Sequence, residues 1–233
     1  MKTLIIIPTL NEGSNIELLL NKIIKLKIKL TILIIDDNSK DQTRSIVLLF
    51  KKKYKFIKYI FRPKKLGIGS AHKKGFDWAF KHNYDVCITM DADLTHNPLY
   101  IKKMLRIIKN KNFSIINTSR FILNNSIQDW PILRKLLTKF RYYLVKIILG
   151  TKLDSSGGFR CYNLSQIKRN HFFISKNNSY FFLIESLFFF EKKNYKIFEI
   201  SLTLPFRLYG SSKMNIKDIL SSFVNLIKLK LIN

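Results

Sequence analysis

The chain has 233 residues, 47% of them apolar, which suits one domain with a substantial core. Its formal net charge of +27 sets 42 Lys and Arg against 15 Asp and Glu. Lysine dominates alongside Ile, Asn and Phe, so the charge reads partly as A+T-rich coding and partly as attraction to acidic lipid headgroups. Two cysteines, Cys87 and Cys161, stand in no paired or metal-spaced motif, which excludes a disulfide scaffold and fits a reduced, cytoplasmic chain.

The N-terminus passes within three residues into an apolar run with no charged leader or small-residue cleavage site, so no signal peptide is expected. Residues 4–8, 30–35, 56–61, 85–90 and 113–118 are short, Ile-rich runs suited to strands buried on both faces. Between them, 15–26, 42–53, 69–82 and 98–110 carry apolar residues at helical spacing. This alternation predicts an α/β fold, a mostly parallel sheet with helices on both faces. Residues 130–149 read as a long helix, 154–160 as a glycine-rich loop, 180–192 as a buried helix carrying Glu185, and 195–204 as a strand. Over 215–231, Ile216, Ile219, Leu220, Phe223, Val224, Ile227 and Leu231 give an amphipathic helix that either packs on its own domain or lies on a membrane. No segment reaches the ~18 to 20 uninterrupted apolar residues of a membrane span.

Ligands of parallel sheets gather at the strand C-termini, and the polar signals concentrate there. Residues 84–93 form an apolar run ending in Asp91-Ala92-Asp93. Two acids one residue apart repel and are costly to desolvate, and a hard divalent cation shared with substrate phosphates relieves both costs. Asp36-Asp37-Asn38-Ser39 reads either as a turn or as a nucleoside-binding edge, and Glu12 is equally open. His96 reads as a turn residue and Cys87 as core. Gly67-Ile68-Gly69 is a loop before a helix, a weak nucleotide signal. Arg207 and Lys213 flank a glycine turn and together suit a phosphate clamp.

Taken in order, residues 7–12, 35–39, 65–69, 90–94, Ser119-Arg120-Phe121, 156–160 and 207–213 resemble the dolichol-phosphate (polyprenyl-phosphate) mannosyltransferases of glycosyltransferase family 2, over nearly the whole chain. The resemblance implies a GT-A (Rossmann-like) domain over residues 1–213 and a separate C-terminal helix over 214–233. It implies that Pro8, Leu10, Glu12, Ile35 and Asp37 meet the nucleoside. It places Asp91, Ala92 and Asp93 against the sugar diphosphate, with Mg²⁺ or Mn²⁺ on Asp91, Asp93 and Thr95. Arg120, Arg207 and Lys213 would meet phosphate oxygens of donor or acceptor. Leu10 stands where the family usually has Tyr, Thr95 where it has Gln, and Phe140 where it has a small glycine after Arg134-Lys135.

The implied reaction is inverting transfer of a hexose, foremost mannose from GDP-mannose, to a polyprenyl phosphate. The alternatives are another donor such as UDP-glucose, or a glycan hydroxyl as acceptor. The expected setting is the cytosolic face of a membrane, reached through the basic surface, the C-terminal helix or a small membrane-anchoring subunit. A basic nucleic-acid-binding protein is the reading from another class. The aromatics speak against it, since they fall in predicted core segments rather than on an exposed stacking surface.

Overall fold

The computed structural model describes residues 1–205 and 216–232. Its centre is a seven-stranded sheet of order β3-β2-β1-β4-β6-β5-β7. The strands are β1 (Thr3–Thr9), β2 (Thr31–Asp36), β3 (Ile57–Phe61), β4 (Val86–Thr89), β5 (Ile115–Ser119), β6 (Arg160–Asn163) and β7 (Ile197–Ser201). All neighbours are parallel except β6, which runs antiparallel between β4 and β5.

Side chains alternate across the pleat, so each strand feeds two cores. Ile5 and Ile7 of β1 join Ile32 and Ile34 of β2 on one face, under α1 (Gly13–Ile24), α2 (Thr43–Lys53) and α4 (Leu99–Asn110). Leu4, Ile6, Leu33 and Ile35 point the other way, toward α3 (Ile68–Lys81) and α6 (Phe181–Lys192). Burial on both faces explains why these strands read as continuous Ile-rich runs instead of alternating ones.

Two elements differ from expectation. Strand β6 falls where a loop and unassigned chain were predicted, because Arg160-Cys161-Tyr162-Asn163 is short and opens on a charge. Arg160 is nonetheless fully buried, donating to Asn117 Oδ1 at 3.0 Å, Ser155 O at 2.6 Å and Leu183 O at 3.0 Å. These neutral acceptors satisfy the guanidinium where a hydrophobic residue would be expected. The second difference is α7 (Ile216–Ile232), packed beside α5 (Ile132–Leu149). Among its described side chains, Leu226 and Leu229 face inward, against Val145, Leu149, Phe181, Ile184 and Phe188. Phe223, Val224, Ile227 and Leu231, read as the greasy face, are exposed.

Arg160→Ala should cost about 3 kcal/mol or more of folding stability, since it removes the donors from buried carbonyls and leaves a cavity. Arg160→Lys should not restore it, lacking the fork. Urea denaturation of the three proteins checks this.

Candidate active site

The order of the strands decides where a ligand can sit. From β1 the chain builds β2 and β3 on one side, then returns to place β4 on the other, so the strand C-termini part between β1 and β4. A cleft of about 390 Å³ opens there. Pro8, Thr9, Leu10 and Glu12 line it from β1, Asp37 from β2, Arg62 and Lys65 to Ile68 from β3, and Asp91, Ala92 and Asp93 from β4. Asn178, Ser179 and Tyr180 complete the wall.

At one end the first two loops are cross-tied. Asn11 and Asn38 adopt φ of 52° and 66°, a left-handed conformation that asparagine tolerates. Ser39 Oγ accepts from Asn11 N at 2.8 Å, and Thr43 Oγ1 from Glu12 N at 2.8 Å. The adjacent acids Asp36 and Asp37 diverge. Asp36 is fully buried and organises the turn, accepting from Ser39 N at 3.0 Å and Arg44 Nε at 2.7 Å. Asp37 reaches the cleft, where it accepts from Leu66 N at 2.7 Å and Gly67 N at 2.8 Å and pairs with Arg62 at 2.8 Å. The Gly-x-Gly segment is therefore an ordered wall, its amides committed to Asp37 and, for Gly69, to Asn178 O. Gly67 is required: its φ is +90°, and a Cβ would lie 2.3 Å from Asn178 O. Burial lowers the Arg62 pKa while Asp37 and Asp36 raise it, and among the described residues its buried Nε has no hydrogen-bond partner. Arg62 was not anticipated, although a cation directly after a predicted strand is the signal that marks it.

At the other end the acid pair is held by its own turn. Leu94 sits at φ 66°, uncommon for a leucine and offset by burial of its side chain. This conformation lets Thr95 cap Asp93, whose Oδ1 accepts from Thr95 N at 3.1 Å and Thr95 Oγ1 at 2.6 Å. His96 is more than a turn residue. Its Nδ1 accepts from Asp91 N at 3.0 Å, which places the ring proton on Nε2, 3.8 Å from Asp91 Oδ2. The ring stacks on fully buried Phe159 at 4.9 Å, and a Cβ on Gly158 would come within 3.3 Å of Asp91 Oδ1. That packing favours a residue without a side chain at Gly158 and an aromatic ring at Phe159. Asp93 is recessed at 6% exposure, whereas the Asp91 side chain is 36% exposed toward the cleft.

Two carboxylates and a hydroxyl are hard oxygen donors that fit Mg²⁺ or Mn²⁺. No group of three His, Cys, Asp or Glu that could hold a metal exists among the described residues, so substrate oxygens and water would have to complete the coordination.

Behind Asp91 lies a charged cluster. Arg120 is buried and bound in bidentate fashion to Asp154, Nε at 2.9 Å and Nη2 at 2.7 Å, and it also donates to Ser156. Arg141, on α5, reaches the same Ser156 Oγ at 3.2 Å, while its buried Nε has no partner among the described residues. Burial pushes the Arg141 pKa down to about 10, and the neighbouring Arg120 adds to the fall. Both arginines feel the Asp154 charge, and Arg120 feels that of Asp91 as well. Of the residues implied by resemblance, Ile35 is core, Arg120 faces Asp154, and Arg207 and Lys213 lie outside the described residues.

The model of the family described as "Glycosyl transferase family 2" matches residues 4–170, more than half of the chain. The polyprenol monophosphomannose synthase of Mycolicibacterium smegmatis is 27% identical over 92% of this chain and 81% of its own. The undecaprenyl-phosphate mannosyltransferase of Micrococcus luteus is 28% identical over 92% and 88%. Among solved structures, glucosyl-3-phosphoglycerate synthase from Mycobacterium tuberculosis with UDP matches with a TM-score of 0.66 at 14% identity, covering 99% of this chain and 79% of that one. Its complex with Mn²⁺, UDP and glucosyl-3-phosphoglycerate gives 0.64 at 15% identity over 99% and 78%. The likeness to this enzyme concerns the fold, which is GT-A as expected.

The buried pair gives a pH signature. Burial raises the Asp154 pKa, but the Arg120 charge and hydrogen bonds outweigh it and hold the carboxyl below the usual carboxylate range. A depressed folded pKa stabilises the fold above the unfolded value of about 4, and that stability is lost as pH falls through the folded value. Asp154→Asn should therefore destabilise by about 3 kcal/mol at pH 7. In urea titrations the gap to the unmodified protein should narrow steadily below about pH 4.

Proposed function

The chain belongs to the family 2 glycosyltransferases, and on that premise we propose that it moves a hexose, foremost mannose from GDP-mannose, to a polyprenyl phosphate with inversion at the anomeric carbon. Residues 1–213 are the catalytic unit and 214–233 an accessory helix on it.

The observation that supports the acceptor class is the pair of buried arginines behind Asp91. Arg120 and Arg141 both donate to Ser156, and Arg120 also faces the charges of Asp154 and Asp91. A lipid phosphate suits such a basic cluster better than a neutral sugar hydroxyl does. The two mannosyltransferase relatives, by their names, act on prenyl phosphates, which supports the same reading.

The chemistry asks little beyond positioning. A phosphate oxygen of the acceptor forms the new bond to the anomeric carbon as the bond from that carbon to the donor diphosphate breaks. The acceptor is already an anion near neutral pH, so no base has to remove a proton. Pro8, Leu10, Glu12, Asp37 and Arg62 hold the nucleoside end. Asp91, aligned by His96 and Gly158, faces the sugar, and Ala92 leaves room beside it. Asp93 and Thr95, with Asp91, would hold a divalent cation, which when bound neutralises the charge gathering on the leaving diphosphate. Arg207 and Lys213 are proposed to bind the same phosphates. The acceptor's chain sets the site of action, the cytosolic surface of a membrane.

Mass spectrometry of reactions offering GDP-mannose, UDP-glucose and UDP-N-acetylglucosamine, with Mn²⁺ and a short-chain prenyl phosphate, tests this. Mannosyl phosphoprenol should form from GDP-mannose. Transfer to prenyl phosphate from none of the donors would contradict the reading. His96→Ala should lower the rate about 10- to 100-fold with the fold intact, as expected for a residue that aims a ligand without touching substrate.

A further inference from the structure

We propose that the outer face of α5 is the surface by which this protein docks on an anionic lipid bilayer. The reasoning begins with exposure. Ile147 is 79% exposed, Ile132 75%, Leu133 69% and Phe140 65%, and Leu136, Leu137 and Tyr143 are more than half exposed. At ~100° per residue these seven side chains fall within an arc of about 140°, one unbroken stripe along the helix. Scattered exposed hydrophobics need no explanation, but a continuous stripe marks an interaction site.

Charge selects the occupant. Helix α5 carries Arg134, Lys135, Lys139, Arg141 and Lys146 and no acidic residue. Lys135, Lys139 and Lys146 follow one margin of the stripe, where their amines would meet headgroup phosphates while the apolar side chains enter the acyl boundary. A protein partner would need a greasy groove with an acidic rim; an anionic bilayer offers both chemistries everywhere. Helix α7 extends the patch, since it packs on α5 through Leu226 and Leu229 and leaves Phe223, Val224, Ile227 and Leu231 outward. No described helix is long and apolar enough to cross a membrane, so docking is interfacial.

Docking on this face also orients the site. Beyond the margin of the stripe away from the lysines, about 40° past Leu137 at ~100° per residue, Arg141 meets Ser156, two residues from the Gly158 that abuts Asp91. The acceptor end of the cleft is therefore brought next to the lipid surface. This inference rests on the proposed prenyl-phosphate acceptor for its purpose, yet its test needs no donor.

The full chain is sedimented with phosphatidylcholine vesicles, with and without phosphatidylglycerol, and the variant I132S/F140S/I147S is compared. The unmodified protein should bind the anionic vesicles, more weakly as salt rises. The triple variant should bind about tenfold or more weakly while retaining transfer to a water-soluble short-chain acceptor. Equal binding by both proteins would overturn the proposal. So would failure of the unmodified protein to bind vesicles, whether the face proves to be covered by a second copy or by a membrane protein. If α5-dependent binding occurs but no donor gives transfer, the docking inference stands and the acceptor assignment falls.

Discussion

Asp91 and Asp93 end a strand that is otherwise buried on both sides, and their mutual repulsion is the constraint around which the rest of this molecule is arranged. Thr95 caps one carboxylate and His96 aligns the other's backbone, while Gly158 leaves room for an approach that a side chain would crowd. The strained turn at Leu94 is the cost of presenting both acids to the same crevice. None of these contacts removes the charge. Under the proposed function, that charge is what a cation and a diphosphate would meet, as a preorganised site requires.

Burial and charge divide the structure into zones with different work. The sheet interior is dominated by Ile, and the charged groups inside it are bonded, Arg160 to neutral oxygens and Arg120 to Asp154. The cleft rim carries opposed charges, Asp37 with Arg62 at one end and the acid pair at the other. Outside, helix α5 turns Arg141 toward Ser156 and the Arg120–Asp154 pair and leaves its hydrophobic stripe exposed. The strong positive charge thus acquires a direction that composition alone does not give it.

Much of this architecture was legible in the residues. The five short apolar runs became β1 to β5: in β1, β2, β4 and β5 two-sided burial leaves no alternation to misread, edge strand β3 exposes Lys58, and the acids at the strand ends marked the crevice. Other features were hidden for physical reasons. An arginine opening β6 looks like a loop until its acceptors are known, since only the third dimension supplies Asn117 and Leu183 as partners. Asp36 and Asp37 look equivalent in sequence, but adjacent residues point to opposite faces, so one shapes the turn and the other meets the cleft. His96 carries no local sign that its ring will lie under Asp91. On α7, Leu226 and Leu229 face inward because α5 and α6 are there to receive them, a pairing that periodicity cannot reveal.

The central claim is that the crevice at β1 and β4 binds a sugar nucleotide through its diphosphate at Asp91 and Asp93. Calorimetry of GDP-mannose with and without Mn²⁺, on the unmodified protein and on Asp93→Asn, tests it most directly. The account predicts metal-dependent binding that the substitution weakens about tenfold or more, at least 1.4 kcal/mol. Equal, metal-dependent binding by both proteins would contradict it.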